Sequence, residues 1–147
     1  MNDETILKAK ELAIKAHKGQ VDKSGIDYIT HPARVAKTLS DEGADPETVA
    51  VGWLHDVVED TEITLEDLRK LGFSQSVVAG VDAMTKRKGE PLKEYLTRVK
   101  ANPIAHQVKL ADVKDNTNPT RVAALKDEKT KEKLAKKYKF VKEFLKQ

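Results

Sequence analysis

Residues 53–61, WLHDVVEDT, place one histidine and three acids within six positions of an otherwise apolar segment. On a helix, residues three or four apart share a face, so His55 and Glu59 form one column and Asp56 and Asp60 form the next. Three carboxylates at this spacing repel one another, and burying an unpaired charge is costly. A divalent cation held by the segment would resolve the conflict, so the segment predicts a metal site.

His55 and Asp56 are the predicted ligands of this segment, because they can converge on an ion between their two columns and offer one nitrogen and one oxygen. Glu59 and Asp60 lie one turn further along. There they would stand beside water on the ion, where a carboxylate can transfer protons. The alternative for a lone His-Asp pair is a charged surface turn with an incidental histidine.

Two further residues are candidate ligands because they occupy positions expected to be apolar. His31 begins a predicted helix whose next residues resemble a core. Asp112 lies four residues after Val108 and eight after Ile104, on a stripe where an unpaired aspartate is costly. Two imidazoles and two carboxylates suit manganese, iron or zinc better than calcium, and the lack of sulfur argues against a structural zinc.

Helices must position these residues, because apolar residues recur at helical spacing nearly throughout and no useful β-alternation is present. The predicted helical segments are, in order, one ending at Gly19, then His31 to Gly43, Asp45 to Asp60, Thr64 to Gly72, Ser74 to Thr85, Pro91 to Lys100, Asn102 to Asn118 and Asp127 to Leu145. The predicted class is all-α, a single compact multi-helix bundle. His17, at the end of the first helix, is predicted to have a structural role.

The composition excludes several kinds of protein. A length of 147 residues suits one domain, predicted to span 1–147, and the absence of cysteine excludes disulfides and thiolate metal sites. The charged start and the short apolar runs predict a cytoplasmic protein without a signal peptide or a membrane partner. Residues 126–147 hold nine lysines against four acids. A solvated helix face explains them better than nucleic-acid binding, because no aromatic residues interleave along a basic groove.

Four segments carry a family likeness: AHKGQ (16–20), YITHP (28–32), LHDVVEDT (54–61) and KLADVKDN (109–116). Their order and rough separations are those of the HD superfamily. More narrowly, the chain resembles, over roughly residues 4–145, the hydrolase domain of Rel/Spo-type enzymes and the small stand-alone alarmone hydrolases. Four linked motifs make this resemblance far more specific than a lone His-Asp pair.

The resemblance implies a reaction and a cofactor. A single divalent ion, usually manganese, would be held by the residues that match the family's ligands: His31, His55, Asp56 and Asp112. Glu59 and Asp60 match the residues that act on water. The implied reaction removes pyrophosphate from the 3′ position of a small-molecule nucleotide, guanosine tetra- or pentaphosphate.

The resemblance also suggests residues that bind the nucleotide. Asn116 matches an asparagine near the sugar, and Tyr28 and Tyr138 match aromatic positions of the substrate pocket. The cations predicted to contact the diphosphate, ahead of Lys109, are Lys23, Lys86 and Arg87.

Asp22 departs from the family pattern, since members that act on guanosine alarmones often have an arginine there that can stack on the purine. The choice between guanosine and adenosine alarmones therefore stays open. Two other functions also stay open: an HD phosphohydrolase of a nucleotide monophosphate or cyclic dinucleotide, and a non-catalytic nucleotide sensor. Glu59 and Asp60 argue against the sensor, because binding alone has little use for unpaired acids near a metal. The sequence does not define an oligomeric state.

Overall fold

The computed structural model describes residues 3–147, and helices make up the regular secondary structure of that range. In chain order they are α1 (Asp3–Ala16), α2 (Thr30–Asp41), α3 (Pro46–Leu54), α4 (Val57–Asp60), α5 (Leu65–Lys70), α6 (Gln75–Met84), α7 (Leu92–Ala101), α8 (Pro103–Asn116), α9 (Pro119–Ala123) and α10 (Glu128–Lys146). Within residues 3–147 the one β-pairing is an isolated bridge between Val21 and Asp27. The predicted all-α class is confirmed.

Side-chain caps fix the starts of several helices where the sequence predicted them. The side-chain oxygens of Asp45, Ser74 and Asn102 each accept a backbone N–H from the first turn of α3, α6 and α8. Thr64 and Asp67 form a reciprocal capping box at the start of α5. A cap satisfies N–H groups that have no partner within the helix, so it helps to set where α3 and α8 begin and which faces they present.

The centre of the fold is α3, which packs against α1, α2, α6 and α8. Gly52 permits the close approach of α2, because a Cβ built there would lie 2.7 Å from Leu39 Cδ1 and 3.3 Å from Ala36 Cα. The buried apolar side chains form one cluster that includes most of α3. His55, which follows α3 directly, is therefore enclosed.

The helix predicted over residues 45–60 is interrupted, which corrects the sequence prediction. It is split into α3 and α4 at His55 and Asp56. The His55 ring nitrogen Nδ1 lies 2.7 Å from the carbonyl oxygen of Gly52, the acceptor that the Asp56 N–H would use in a continuous helix. Asp56 has φ −107° and ψ −1°, between the helical and extended regions. The break gives both side chains directions that a regular helix would not.

A short helix, α9, begins at Asn118-Pro119, where the sequence predicted only the end of α8. The Asn118 side chain accepts the backbone N–H of Thr120, and Pro119 occupies the first turn, where its missing N–H costs nothing. Five residues are too few to show a helical periodicity, so the available signal for α9 was Asn118-Pro119, the same pattern that begins α8 at Asn102-Pro103. This helix carries Arg121 towards the predicted ligands.

The basic tail forms α10, which packs on α7 and α8 through the buried side chains of Val141 and Leu145. Leu134 and Tyr138 are half-buried, and nearly all lysines of the tail are exposed. The predicted amphipathic helix is confirmed. Neither α10 nor any other helix within residues 3–147 combines the length and hydropathy needed to cross a membrane.

Candidate metal centre and active site

Side chains from α2, α8 and the α3–α4 junction converge on one buried point. One ligand atom from each of His31, His55 and Asp112 lies within 4.8 Å of the other two. His31 Nε2 is 2.8 Å from Asp112 Oδ1, and His55 Nε2 is 3.4 Å from the same oxygen. Ligand atoms that share one ion at bonds of ~2.1 Å lie roughly 3 to 4 Å apart. The three side chains are therefore close enough together that they could share one ion.

Asp56, the fourth predicted ligand, borders this cluster. Its Oδ2 lies 3.1 Å from His55 Nε2 and 4.0 Å from His31 Nε2. The same oxygen accepts a hydrogen bond from the Tyr28 hydroxyl. Burial and the charge of Asp56 raise the pKa of Tyr28 above its usual value, so the hydroxyl keeps its proton. Tyr28, predicted as an aromatic wall of the pocket, thus also orients Asp56.

His55 has the hydrogen bonding of a metal ligand. A carbonyl oxygen only accepts, so the contact with Gly52 places a hydrogen on Nδ1, and Nε2 is the ring nitrogen that could bind a metal. This Nε2 is buried and makes no hydrogen bond to any residue of the described range. Burial disfavours the charged ring, but Asp56 and Asp112 outweigh burial and raise the pKa of His55 well above 6.5. The same negative field would attract a cation, so these donors fit a divalent metal.

Asp115 holds His31 from the side away from the cluster. Its Oδ2 lies 2.6 Å from His31 Nδ1 and accepts from Arg121 Nη1 at 2.9 Å, while its Oδ1 accepts from Arg34 Nε at 2.8 Å. Burial alone would raise the pKa of Asp115, but His31 and Arg34 lower it to about 2. Metal-binding histidines commonly donate their second N–H to a carboxylate in this way. Sequence reasoning missed Asp115, although its position three residues after Asp112 was an available signal.

Lys109 and Asn116 contact Asp112 from the same helix. Lys109 Nζ lies 3.1 Å from Asp112 Oδ2, and Asn116 Nδ2 donates to Oδ1 at 3.1 Å. Burial opposes ionisation of Asp112, but Lys109 and His31 lower its pKa well below 3.8. Lys109, which sequence reasoning ranked behind the other cations, contacts a ligand directly. Its spacing of three residues from Asp112 was the available signal.

The two predicted catalytic acids face different spaces. Glu59 lines a cavity of about 110 Å³ together with Asp56 and Asp112, and its Oε1 accepts the backbone N–H of Lys86 at 2.7 Å. Asp60 lines a separate groove of about 950 Å³ between the end of α1 and α5. Partial burial and the charges of Asp56 and Glu59 raise the pKa of Asp60 to about 6. Glu59 is thus the acid that shares a cavity with the ligands.

Two adjoining cavities contain most of the predicted substrate-binding residues. The cavity over the ligands is also lined by Lys86, Lys109 and Lys137. A cavity of about 280 Å³ lies beside it and is lined by Lys23, Tyr28, Asp22, Arg121 and the apolar side chains of Val122, Leu125 and Leu134. Asn116 and Tyr138 line both spaces. A phosphorylated ligand could therefore extend from one cavity into the other.

Arg87 lies apart from these cavities, since its guanidinium is 3.5 Å from Asp82 and more than half exposed. Two cations that sequence reasoning did not single out line the cavities instead: Lys137 on α10 and Arg121 on α9. Lys137 stood within a lysine-rich tail, and no residue pattern distinguished it from its neighbours. His17 is buried, with its ring centroid 5.0 Å from that of Tyr28.

Comparison with known proteins finds sequence similarity to two much longer enzymes. The chain is 39% identical over 137 residues to a GTP pyrophosphokinase of Streptomyces coelicolor, which covers 87% of this chain and 16% of that protein. It is 36% identical over 141 residues to a guanosine-3′,5′-bis(diphosphate) 3′-pyrophosphohydrolase of Aquifex aeolicus. That match covers 90% of this chain and 20% of the relative. The chain thus spans at most a fifth of the length of these two relatives.

A solved structure and a family model agree with the observed fold. The structure, described as a metazoan ortholog of SpoT that hydrolyses ppGpp, matches with a TM-score of 0.82 and 25% identity, over 96% of this chain and 85% of that one. The sequence model of the HD domain matches residues 9–110. These residues include His31, His55 and Asp56. The chain therefore belongs to the HD domain family.

Proposed function

We propose that residues 1–147 act as one metal-dependent phosphohydrolase domain that removes the 3′-diphosphate of a nucleotide alarmone such as (p)ppGpp or (p)ppApp. The observation that carries this proposal is the convergence of His31, His55, Asp56 and Asp112 beside a small cavity that also holds Glu59 and three lysines. A buried anionic cluster needs a cation, and a lysine-lined cavity suits phosphate. The mixed nitrogen and oxygen donors suit manganese, iron or zinc, and the resemblance to the HD superfamily favours manganese among them.

Each group has a distinct task in the proposed reaction. A bound divalent ion supplies Lewis acidity, which lowers the pKa of water and stabilises charge on phosphoryl oxygens. Glu59 Oε1 is held by the Lys86 amide, which leaves Oε2 to take a proton from water in the cavity. Asp60 exchanges protons with solvent from its own groove. As water bonds to phosphorus and the bond from phosphorus to the sugar 3′-oxygen breaks, the 3′-oxygen takes up a proton, and the ammonium groups of Lys109 and Lys137 offset the charge on the phosphoryl oxygens.

The remaining predicted contacts extend from this centre. Asn116 and Tyr138 stand where the two cavities meet, which suits contact with the sugar. Lys23 lies in the larger cavity and is proposed to bind the phosphate groups at the other end of the nucleotide. Arg87 would need to leave Asp82 before it could contact a diphosphate.

The names of the relatives support a guanosine alarmone as the substrate. Those names include both a GTP pyrophosphokinase and a 3′-pyrophosphohydrolase. Of these two activities, hydrolysis is the one that the side chains of this site support, because they offer candidate metal ligands and place the carboxylate of Glu59 beside those ligands. The metazoan ortholog of SpoT, whose solved structure matches this fold, is likewise described as hydrolysing ppGpp.

The test is incubation of manganese-loaded protein with ppGpp and ppApp, followed by chromatography of the products. We expect pyrophosphate together with GDP or ADP. Orthophosphate as the sole phosphate product would favour a different HD phosphohydrolase. Nucleotide binding without turnover would favour a sensor.

Substitution of Glu59 tests its proposed role. Glu59→Gln should lower kcat by about 10²- to 10⁴-fold while the protein still binds one manganese ion per chain. Glu66→Gln is the matched control, since Glu66 is exposed on α5 and, among the residues that the structure describes, its carboxylate pairs with Arg69 alone, at 3.3 Å. Loss of the metal in Glu59→Gln would make Glu59 a ligand and contradict the assigned role.

A further inference from the structure

The 280 Å³ cavity contains an ion pair that phosphate chemistry does not require. Arg121 Nη2 from α9 lies 3.5 Å from Asp22 Oδ2 in the loop after α1. Both side chains line the cavity and are largely shielded from solvent, with exposed fractions of 24% and 11%. The pair faces a wall of apolar side chains from α9 and α10. A flat heteroaromatic ring would suit this mixture of one polar pair and an apolar wall.

Each member of the pair is held in place by its other atoms. Asp22 Oδ1 accepts the backbone N–H groups of Ser24 at 2.8 Å and Ile26 at 3.1 Å. Arg121 Nη1 donates to Asp115 at 2.9 Å and to Asn116 at 2.8 Å. Within the described residues, Asp22 Oδ2 and Arg121 Nη2 have only each other, at a distance too long for a strong hydrogen bond. One fixed acceptor and one fixed donor therefore remain side by side.

We propose that Asp22 and Arg121 read the edge of the nucleobase, with Asp22 Oδ2 accepting a base N–H and Arg121 Nη2 donating to the adjacent acceptor. This inference rests on the proposed function, which places the 3′-diphosphate in the lysine-lined cavity. The base would then lie in the cavity beside it, which also contains Lys23. In this role the pair of Asp22 and Arg121 would replace the arginine that similar proteins often have at the position of Asp22, where it can stack on the purine.

The pair has a defined selectivity. Guanine offers N1–H beside O6, and adenine offers an N6 hydrogen beside N1 or N7, so both bases satisfy the pair. Unsubstituted purine has acceptors on its six-membered ring but no donor. A site built around a fixed acceptor rejects a ligand that lacks the donor, because the buried acceptor is then unpaired.

The test uses calorimetric titration of manganese-loaded protein with the 3′,5′-bisphosphates of guanosine, adenosine and purine riboside. The wild-type protein should bind the purine riboside compound about tenfold or more weakly than the other two. In Asp22→Asn the amide oxygen keeps the contacts to Ser24 and Ile26, so the amide NH2 takes the place of Oδ2. Because that group donates, it cannot accept the N6 hydrogen of adenine, so the preference for the adenosine compound over the purine riboside compound should be lost, whereas guanine can still offer its adjacent O6 and N7 acceptors.

Asp27→Asn is the matched control, since it makes the same charge change in the same loop at an exposed residue that does not line the cavity. It should leave the affinity ratio unchanged. Asp22→Arg is a poor test, because it would bring like charges together and remove the acceptor of the 22–26 turn. An affinity ratio that is near one in the wild type, or that Asp22→Asn leaves unaltered, would overturn the inference.

The binding measurement separates this inference from the hydrolase proposal, because the bisphosphates carry no diphosphate to be cleaved. Base-dependent binding without turnover of ppGpp or ppApp would overturn the hydrolase alone. Turnover with base-independent binding would overturn only the role of Asp22 and Arg121. If none of the three compounds binds, the base-reading role of Asp22 and Arg121 is wrong, and turnover of ppGpp or ppApp alone decides the hydrolase proposal.

Discussion

The contact between Asp115 and His31 gives a direct test of how the metal centre is held. Asp115 lies on α8 and reaches a ligand on α2, with His31 Nδ1 2.6 Å from its carboxylate. It also accepts hydrogen bonds from Arg34 and Arg121. Asp115→Ala would therefore leave His31 free to turn and would remove the anion shared by two guanidinium groups.

The structure sets the size of the expected effect. In Asp115→Ala, the buried His31 Nδ1 loses its acceptor and Arg121 Nη1 loses one of two, keeping Asn116, and an unpaired buried donor costs about 1–3 kcal/mol. We expect the free energy of unfolding to fall by about 3 kcal/mol and manganese binding to weaken by about 10- to 100-fold. Asp115→Asn keeps an oxygen for His31 and turns its NH2 towards Arg34, whose side chain is 40% exposed and can move into solvent. Manganese binding should then weaken by less than about tenfold.

The assay combines calorimetric titration of manganese with urea denaturation of each variant. Asp41→Ala is the control, because the pair of Asp41 with Lys37 is exposed and contributes less than about 1 kcal/mol. Wild-type manganese affinity in a folded Asp115→Ala protein would refute the assignment of Asp115 as the residue that orients His31. Equal losses in the Ala and Asn variants would show that the charge of Asp115 matters, and not its contact with His31.

Two further predictions concern the packing of α3 and the acid at the end of α4. Gly52→Ala should lower the free energy of unfolding by about 1–3 kcal/mol, since the new methyl group would lie 2.7 Å from Leu39 Cδ1; an unchanged urea midpoint would mean that Leu39 can move aside. Asp60→Asn should stabilise the metal-free protein above pH 6 by about 1 kcal/mol after allowance for solvent screening. The pKa of Asp60 is raised in the folded protein to about 6. The folded state is therefore most stable with respect to this group below pH 4, where Asp60 is protonated, and that stability is lost as the pH rises through 6 and Asp60 ionises. The gain from Asp60→Asn, measured as a difference in melting temperature, should therefore disappear at pH 4, and a gain independent of pH would contradict this reasoning.

Much of the fold could be predicted from local sequence. Helix starts at Asp45, Thr64, Ser74 and Asn102 were predictable because a capping side chain and the helix it caps are neighbours in the chain. The apolar stripe of α10 was predictable for the same reason, since the periodicity lies within one helix. The helix predicted through residues 45–60 was wrong, because a contact of the His55 ring with the Gly52 carbonyl competes with the helical hydrogen bond.

The candidate site shows a similar division. The residue types and positions of His31, His55, Asp56 and Asp112 indicated metal binding, because such groups are costly on apolar stripes without a partner. Their four roles as ligands stay predictions, and the structure adds that they adjoin in space. Asp115, Lys137 and Arg121 were not singled out, since their importance comes from neighbours on other helices.

The sequence by itself determined the all-α class, most helix limits and a set of groups able to bind a divalent ion. These properties follow from spacing along the chain, because a helix repeats every 3.6 residues and a cap acts within one turn. Only the tertiary structure decided that Glu59 faces the ligands while Asp60 faces another groove, and that Arg121 lies against Asp22. The physical reason is that these arrangements depend on the packing of helices far apart in the chain, and side-chain spacing within one helix does not specify that packing.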